Sequence, residues 1–292
     1  MSEVQLTHPD KVLYPDQGVT KRDIANYYAK IAPRMMPYIE RRLLSLVRCP
    51  EGATGQCFFQ KHAHRGFPSQ FVGYKLPEKK GGTNEYLYID QPDGLIAAAQ
   101  VGALELHIWG SRIDAVEEPD RIVFDLDPDP SVDFATVKEA AVHLRKVLEA
   151  LELESFPMLT GGKGVHVVAP ITRKYDWPVV KAFSAAVSER IAADDPDHYI
   201  ATMSKAKRKG RIFIDYFRND RGATAIAPYS TRARKGAPLA WPVSWGQLSK
   251  AKSAAAFTLE NVKFGGTDPW RGYSSTRQGL KAPVLRALAV ES

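Results

Sequence analysis

Three aspartates stand where apolar segments end: Asp125 and Asp127 in Phe124-Asp125-Leu126-Asp127-Pro128, and Asp215 in Ile212-Phe213-Ile214-Asp215. On an extended strand, residues i and i+2 share a face roughly 7 Å apart. The first two carboxylates therefore project together at a strand end, beside a proline turn. Neighbouring anions repel, and a hard divalent cation such as Mg2+ or Mn2+ relieves the repulsion with oxygen ligands. Asp215 closes an apolar run between Arg211 and Arg218, where a buried acid is costly unless it is paired or bound to metal. Three acids on two adjacent strands can hold two cations about 3.5–4 Å apart, an arrangement suited to in-line phosphoryl transfer. Two plainer alternatives stand beside this: Asp127 only caps the Pro128 turn, and Asp215 only forms a salt bridge with Arg218. A strand-end Asp-x-Asp also serves glycosyltransferases that bind nucleotide sugars.

Thr160-Gly161-Gly162-Lys163-Gly164-Val165-His166 reads as a glycine-rich turn between a helix and a strand. Glycines let a backbone approach a phosphate, while Lys163 and His166 supply charge and hydrogen bonds. It is not a P-loop, because Gly164 stands where Ser or Thr should follow the lysine. His107 alternates with Glu105 on one strand face, and a lone strand histidine is most often a core or boundary residue. Phe58 and Phe59 are adjacent, so in a strand they point to opposite faces. One can be core and the other exposed to stack on a base, with Lys61 nearby for phosphate; the plainer alternative is two core aromatics. His62-x-His64 reads as surface. Lys205-Ala206-Lys207-Arg208-Lys209-Gly210-Arg211 is a basic loop ahead of Asp215, and residues 201–240 hold ten basic and two acidic side chains, which favours nucleic-acid contact.

The elements that must carry these residues follow from periodicity. Thr20 caps a helix over 21–30, with Ile24, Tyr27, Tyr28 and Ile31 on one face. Strands are expected at 43–47, 86–90, 104–109, 121–127, 165–169 and 211–217. Helices are expected at 95–101, at 134–151 with Ser131 or Asp133 as cap, and at 179–192. This alternation indicates an α/β or α+β class. The 292 residues carry 40 Lys and Arg against 33 Asp and Glu, a net of +7. The charge is segregated: +3 over 1–100, −8 over 101–200 and +12 over 201–292. An acidic site for cations beside a basic surface for phosphates is one reading of that segregation. No run of 18 apolar residues or leader-like start is present, which predicts no membrane span and no signal peptide. Cys49 and Cys57 are too few for a disulfide framework or a four-thiolate zinc site. Together these features predict a soluble intracellular protein.

Taken in order along the chain, the motifs resemble the archaeo-eukaryotic primase superfamily. More closely, they resemble the polymerase domains of bacterial ligase D, which act in non-homologous end joining. The resemblance rests on Asp10-Lys11-Val12-Leu13-Tyr14-Pro15, Phe58-Phe59-Gln60-Lys61-His62, Glu105-Leu106-His107-Ile108-Trp109, the Asp125-Leu126-Asp127 strand, Gly162-Lys163-Gly164-Val165-His166 and Phe213-Ile214-Asp215-Tyr216. It implies an RRM-like primase-polymerase core over 101–281, an N-terminal α/β module over 1–100 and a tail over 282–292. Asp125, Asp127 and Asp215 would be the catalytic acids and hold two Mn2+ or Mg2+ ions. His107, Thr160, Lys163, His166 and Arg232 would contact a nucleoside triphosphate (NTP, ATP and GTP included, or dNTP). Lys11 and Lys21 would grip the 5′-phosphate of a gapped or broken DNA, Phe58, Phe59 and Lys61 would meet the DNA, and Arg208 would lie in a mobile loop near the site. Arg218 receives no role. Thr160 stands where relatives carry serine, keeping the hydroxyl but adding a methyl.

The implied function is extension of DNA 3′ ends, filling gaps and adding nucleotides at breaks with a preference for ribonucleotides. Implied partners are a Ku-type end-binding protein and a ligase domain or chain, since no Lys-x-Asp-Gly ligase motif occurs in this sequence. The expected location is the bacterial cytoplasm, at the nucleoid during repair. An enzyme alternative is a primase-like polymerase that needs no primer. The non-enzyme alternative is an end-binding or bridging module whose acids only shape the fold.

Overall fold

Two short strands, β1 (Val12–Tyr14) and β2 (Val19–Thr20), lead into α1 (Lys21–Ile39). The computed structural model describes residues 4–62, 66–77 and 81–288; His64 of the His62-x-His64 pair lies outside them. The start of α1 is set by a capping box in which the Thr20 hydroxyl accepts from the Asp23 amide and Asp23 accepts from the Thr20 amide. That satisfies two of the four donors a helix start leaves open. The chain continues through β3 (Leu44–Arg48), β4 (Phe58–Gln60), β5 (Phe71–Pro77), β6 (Thr83–Ile89), α2 (Asp93–Gln100) and β7 (Ala103–Ile108).

The second half runs β8 (Arg121–Pro128), α3 (Phe134–Ala150), β9 (Phe156–Leu159), β10 (Val165–Pro170) and α4 (Trp177–Asp194). It ends with β11 (Tyr199–Ile200), β12 (Ile212–Asp215), β13 (Ala225–Ile226), β14 (Trp241–Pro242), α5 (Trp245–Lys250) and α6 (Ala282–Ala287). The main sheet has the order β11-β12-β8-β10-β9-β14. Within it, β8-α3-β9-β10-α4-β12 forms a β-α-β-β-α-β unit whose four strands are antiparallel neighbours. This is the connectivity of the RRM-like core expected from the motifs. Phe124, Leu126, Val165, Val167 and Ile214 are buried on one face of the sheet, and α3 and α4 pack on it. The opposite face carries Asp125, Asp127, His166 and Asp215, since side chains alternate along a strand.

A second sheet, β13-β7-β3-β4, joins residues 44–60 to β7 and to β13, so its strands come from both sides of residue 100. No helix among the described residues is long and apolar enough to cross a membrane.

Several local expectations change. The glycine-rich turn connects two strands, not a helix to a strand, because Phe156–Leu159 pairs with β10 as a hairpin. The strand expected over 211–217 stops at Asp215 and passes into a 3-10 turn over Phe217–Asn219. Asp133, not Ser131, caps α3. Residues 282–287, expected as tail, form a helix that buries Leu285. Cys49 and Cys57 are joined in a disulfide. Arg48 pairs with Phe58 across β3 and β4, so the next cross-strand position brings the two cysteines face to face.

Candidate active site

Register, more than spacing along the chain, assembles the acids. Asp125 on β8 pairs directly with Asp215 on β12 and with His166 on β10. Three side chains therefore stand in a row across the sheet, with Asp127 two residues farther along β8. Gly164 permits this approach of β10 to β8, because a Cβ there would lie 2.1 Å from the Leu126 carbonyl oxygen.

The carboxylates are held by two arginines. Arg218, on the turn after β12, places Nη2 3.0 Å from Asp215 and 3.4 Å from Asp125. Arg208 lies over the Phe213 ring at 3.6 Å and reaches Asp127 at 3.5 Å. His166 Nε2 stands 3.4 Å from Asp125 on the other side. Burial opposes ionisation of Asp125, yet His166 and Arg218 hold its carboxyl at about 2. Burial, followed by repulsion from Asp125, pushes Asp127 above the usual carboxylate range. Asp215 is pushed up as well, by burial and Asp125, with Arg218 opposing. The three carboxyls are thus driven apart, one lowered by its cationic neighbours and two raised mainly by burial.

Among the described residues, no three His, Cys, Asp or Glu side chains converge on a common cation position as they stand. The donor chemistry nonetheless fits a hard divalent ion, since all three acids offer oxygen. The contacts that compete for them are ion pairs of 3.0–3.5 Å to arginine side chains. Both the metal reading of the acids and the Asp215–Arg218 salt bridge thus have a place in this geometry.

Beside the acids lies a second constellation organised by Glu105. Its carboxylate accepts from His107 Nε2 at 2.8 Å, from Arg232 Nε at 3.0 Å and from the Ala233 amide at 3.0 Å. Burial works against its ionisation, but His107 and Arg232 bring it down to about 2. Burial lowers His107, with Glu105 opposing. Arg232 also donates to the Thr160 carbonyl at 2.9 Å, tying this group to the glycine-rich turn. The Thr160 hydroxyl donates to the Gly164 carbonyl and accepts from the Gly162 amide. It therefore shapes the turn while Lys163 stands exposed on it. The sequence places Glu105 on one strand face with His107 but assigns it no role; that i, i+2 spacing is the signal for it.

The edge strand β4 differs from expectation: both Phe58 and Phe59 are exposed, at 43% and 65%. Phe59 lies 5.8 Å from the His107 ring, whereas Phe58 lies under Arg48 at 5.5 Å. One aromatic thus borders the Glu105 group and the other packs on Arg48, which also lines a separate cavity of about 300 Å3 with Lys11, Lys21 and His8. Lys21 is buried and donates to the Thr7 carbonyl; Lys11 pairs with Glu51 at 3.0 Å. Burial and the neighbouring Lys11 lower the Lys21 ammonium. Two cations sharing one cavity form a ready anion site. Lys61 lies exposed just past β4, with no ion pair among the described residues.

Comparison with known proteins adds identity to this geometry. Residues 20–270 match the family described as LigD, primase-polymerase domain. Over 290 residues, 98% of the chain, the sequence is 36% identical to the multifunctional non-homologous end joining protein LigD of Pseudomonas aeruginosa, covering 34% of it. It is 34% identical over 248 residues to the same-named protein of Mycolicibacterium smegmatis, covering 84% of this chain and 32% of the relative. The chain thus spans about a third of the length of these curated relatives. Among solved structures, the polymerase domain from Mycobacterium tuberculosis ligase D in complex with DNA superposes with a TM-score of 0.83 at 32% identity, covering 89% of this chain and 93% of that one.

Proposed function

The chain belongs to the LigD primase-polymerase domain family, a family of nucleotidyltransferases, and from that premise we propose that it extends DNA 3′ ends in bacterial non-homologous end joining. It fills short gaps and adds nucleotides, ribonucleotides preferentially, at double-strand breaks. The observation that carries this reading is the cross-strand row of His166, Asp125 and Asp215, with Asp127 beside it.

Asp125, Asp127 and Asp215 would hold Mn2+ or Mg2+, two ions in the full arrangement. Bound there, the ions supply Lewis-acid activation of the 3′-hydroxyl and charge neutralisation at the triphosphate. His166 orients Asp125, and Arg218 keeps Asp125 and Asp215 from repelling one another before a cation arrives. Glu105 fixes His107 and Arg232 as donors beside the glycine-rich turn, where Lys163 adds a mobile positive charge for the triphosphate. Thr160 shapes that turn at the expected sugar position. Phe59 offers a base-stacking surface on the same side. The Lys11–Lys21 cavity suits a 5′-phosphate across a gap, and Arg208 with the basic loop around it suits the DNA backbone. A Ku-type protein and a ligase domain or chain are the proposed partners, at the nucleoid of the bacterial cytoplasm.

Primer extension on a short gapped duplex with a 5′-phosphate tests this. Ribonucleotides and deoxyribonucleotides are supplied in parallel with Mn2+, with Asp125→Ala as control. Extension by the wild type alone, faster with ribonucleotides, is the expected result. Absence of extension together with tight metal-independent binding to the same DNA would replace this reading with an end-binding role.

A further inference from the structure

At the end of β8 opposite the acids, a cavity of about 400 Å3 is lined by Arg42, Arg112, Arg173 and Arg277, with Thr172 and Tyr273. Arg121 opens β8 four residues before Asp125, about 13 Å away at the rise of a strand. It is 3% exposed, interacts with Tyr273 beside the cavity, and its Nε finds no hydrogen-bond partner among the described residues.

Four guanidiniums line the cavity against one carboxylate, Asp120, with Asp114, Glu40, Glu118 and Glu154 around its edge. Arg42 grips Asp120 through both terminal nitrogens at 2.6 and 2.7 Å, and Arg112 Nε approaches the same acid at 3.5 Å. Arg173 takes Asp114 at 2.6 Å, and Glu40 lies 3.5 Å from Arg112. Among the described residues, neither Arg277 nor Arg121 has a carboxylate at ion-pair distance. Arg277 donates to the carbonyls of Ser274 and Thr276, which are dipoles and leave its charge uncompensated. Arg112 also donates to the carbonyls of Glu40 and Pro37. Burial and the nearby Arg42 push the Arg121 guanidinium down to about 10 and lower Arg112 as well.

Surplus charge around a concave site is costly unless an anion enters it. Guanidinium forks match the oxygens of a phosphate group, and several forks can share one such group from different directions. We propose that this cavity binds a phosphate group through Arg112, Arg173 and Arg277, with the Thr172 hydroxyl. It is distinct from both the acid cluster and the Lys11–Lys21 cavity. Arg173 follows β10, Arg112 follows β7 and Arg277 comes from the C-terminal segment, so a bound phosphate would tie together three stretches far apart in sequence. Binding should therefore raise thermal stability.

The test titrates inorganic phosphate against chloride at equal ionic strength, without divalent cations, following 31P line width and melting temperature. The wild type should show a saturable response beyond that to chloride. Lys11→Ala, which weakens the other phosphate cavity, should retain it. Made in the Lys11→Ala background, the Arg173→Ala/Arg277→Ala double variant, whose side chains are outside the buried core, should bind at least tenfold more weakly while its melting temperature in chloride stays close to that of Lys11→Ala. Phosphate acting no differently from chloride would overturn the proposal, as would a double variant responding like the wild type. An unphosphorylated duplex is the second probe. If it displaces phosphate from Lys11→Ala but not from the double variant, the group comes from a nucleic-acid backbone; if it does not, the site takes a free phosphate or a phosphomonoester.

Discussion

The two ends of β8 solve opposite electrostatic problems. At its C-terminal end, acids predominate and arginines compensate: Arg218 and Arg208 reach Asp125, Asp127 and Asp215 across 3.0–3.5 Å. At its N-terminal end, arginines predominate and Asp120 compensates, gripped by a fully buried Arg42 through two bonds of 2.6 and 2.7 Å. The first arrangement is long and partly open to solvent, so its partners can be exchanged for a cation. The second is short and anchored by a buried Arg42, so it serves the fold permanently. One strand thus presents a replaceable ion-pair set at one end and a fixed one at the other.

Substituting the acids should show the largest contrast. Asp125→Ala is expected to lower gap-filling by about 10^3-fold or more, since a lost cation ligand removes several kcal/mol of transition-state stabilisation. Its melting temperature should remain near wild type; a collapsed fold would mean that this end, too, is structural. Arg42→Ala should do the reverse, costing about 3 kcal/mol of stability because the partly buried Asp120 loses its two short bonds and keeps only Arg112 at 3.5 Å, as read by urea denaturation. Activity per folded molecule should persist.

The Asp120 clamp also has a pH signature. Burial opposes ionisation, but Arg42 holds the Asp120 carboxyl below its usual range. A depressed folded-state pKa contributes stability that is fully present above the unfolded value of about 3.9 and is lost as pH falls through the folded value. Acid titrations of wild type and Asp120→Asn should therefore converge at low pH and separate above about pH 4. Parallel curves would remove Asp120 from the account.

Smaller effects sharpen the picture away from β8. Lys11→Ala should weaken binding to a 5′-phosphorylated gap about tenfold, the worth of one charge-assisted bond, while binding to the unphosphorylated gap changes little. Fluorescence anisotropy reads both, and equal losses would exclude a dedicated phosphate cavity. The smallest expected effect is on cation affinity. Arg218→Gln should tighten Mn2+ binding about fivefold in the absence of DNA, because a half-exposed ion pair worth about 1 kcal/mol no longer competes. Electron paramagnetic resonance of free Mn2+ measures it; weaker binding would make Arg218 a support of the cation site.

Much of this site was legible in the sequence because its chemistry is local. Asp125 and Asp127 share a strand, and the turn from Thr160 to His166 is contiguous, so residue type and spacing were enough to find them. The cross-strand register of Asp125 with Asp215 and His166 was not legible, since pairing depends on which strands become neighbours. Arg218 acquired its bridging position for the same reason. The strand over Phe156–Leu159 was hidden by Pro157, a residue that argues against strand interiors; recognising it would have turned the supposed helix–strand junction into a hairpin. The exposure of both Phe58 and Phe59 was not legible either, because it depends on what packs over each face of β4.

The strand order of the main sheet also bears on how the protein is made. Asp125 lies on the first strand of the β-α-β-β-α-β unit and Asp215 on the last. A ribosome must therefore deliver almost the entire core before the third acid exists. Three residues after Asp215 comes Arg218, in the same stretch of nascent chain. The acid that completes the cluster thus emerges together with its own counter-ion, and the newly closed sheet need not wait for a metal to become electrostatically tolerable.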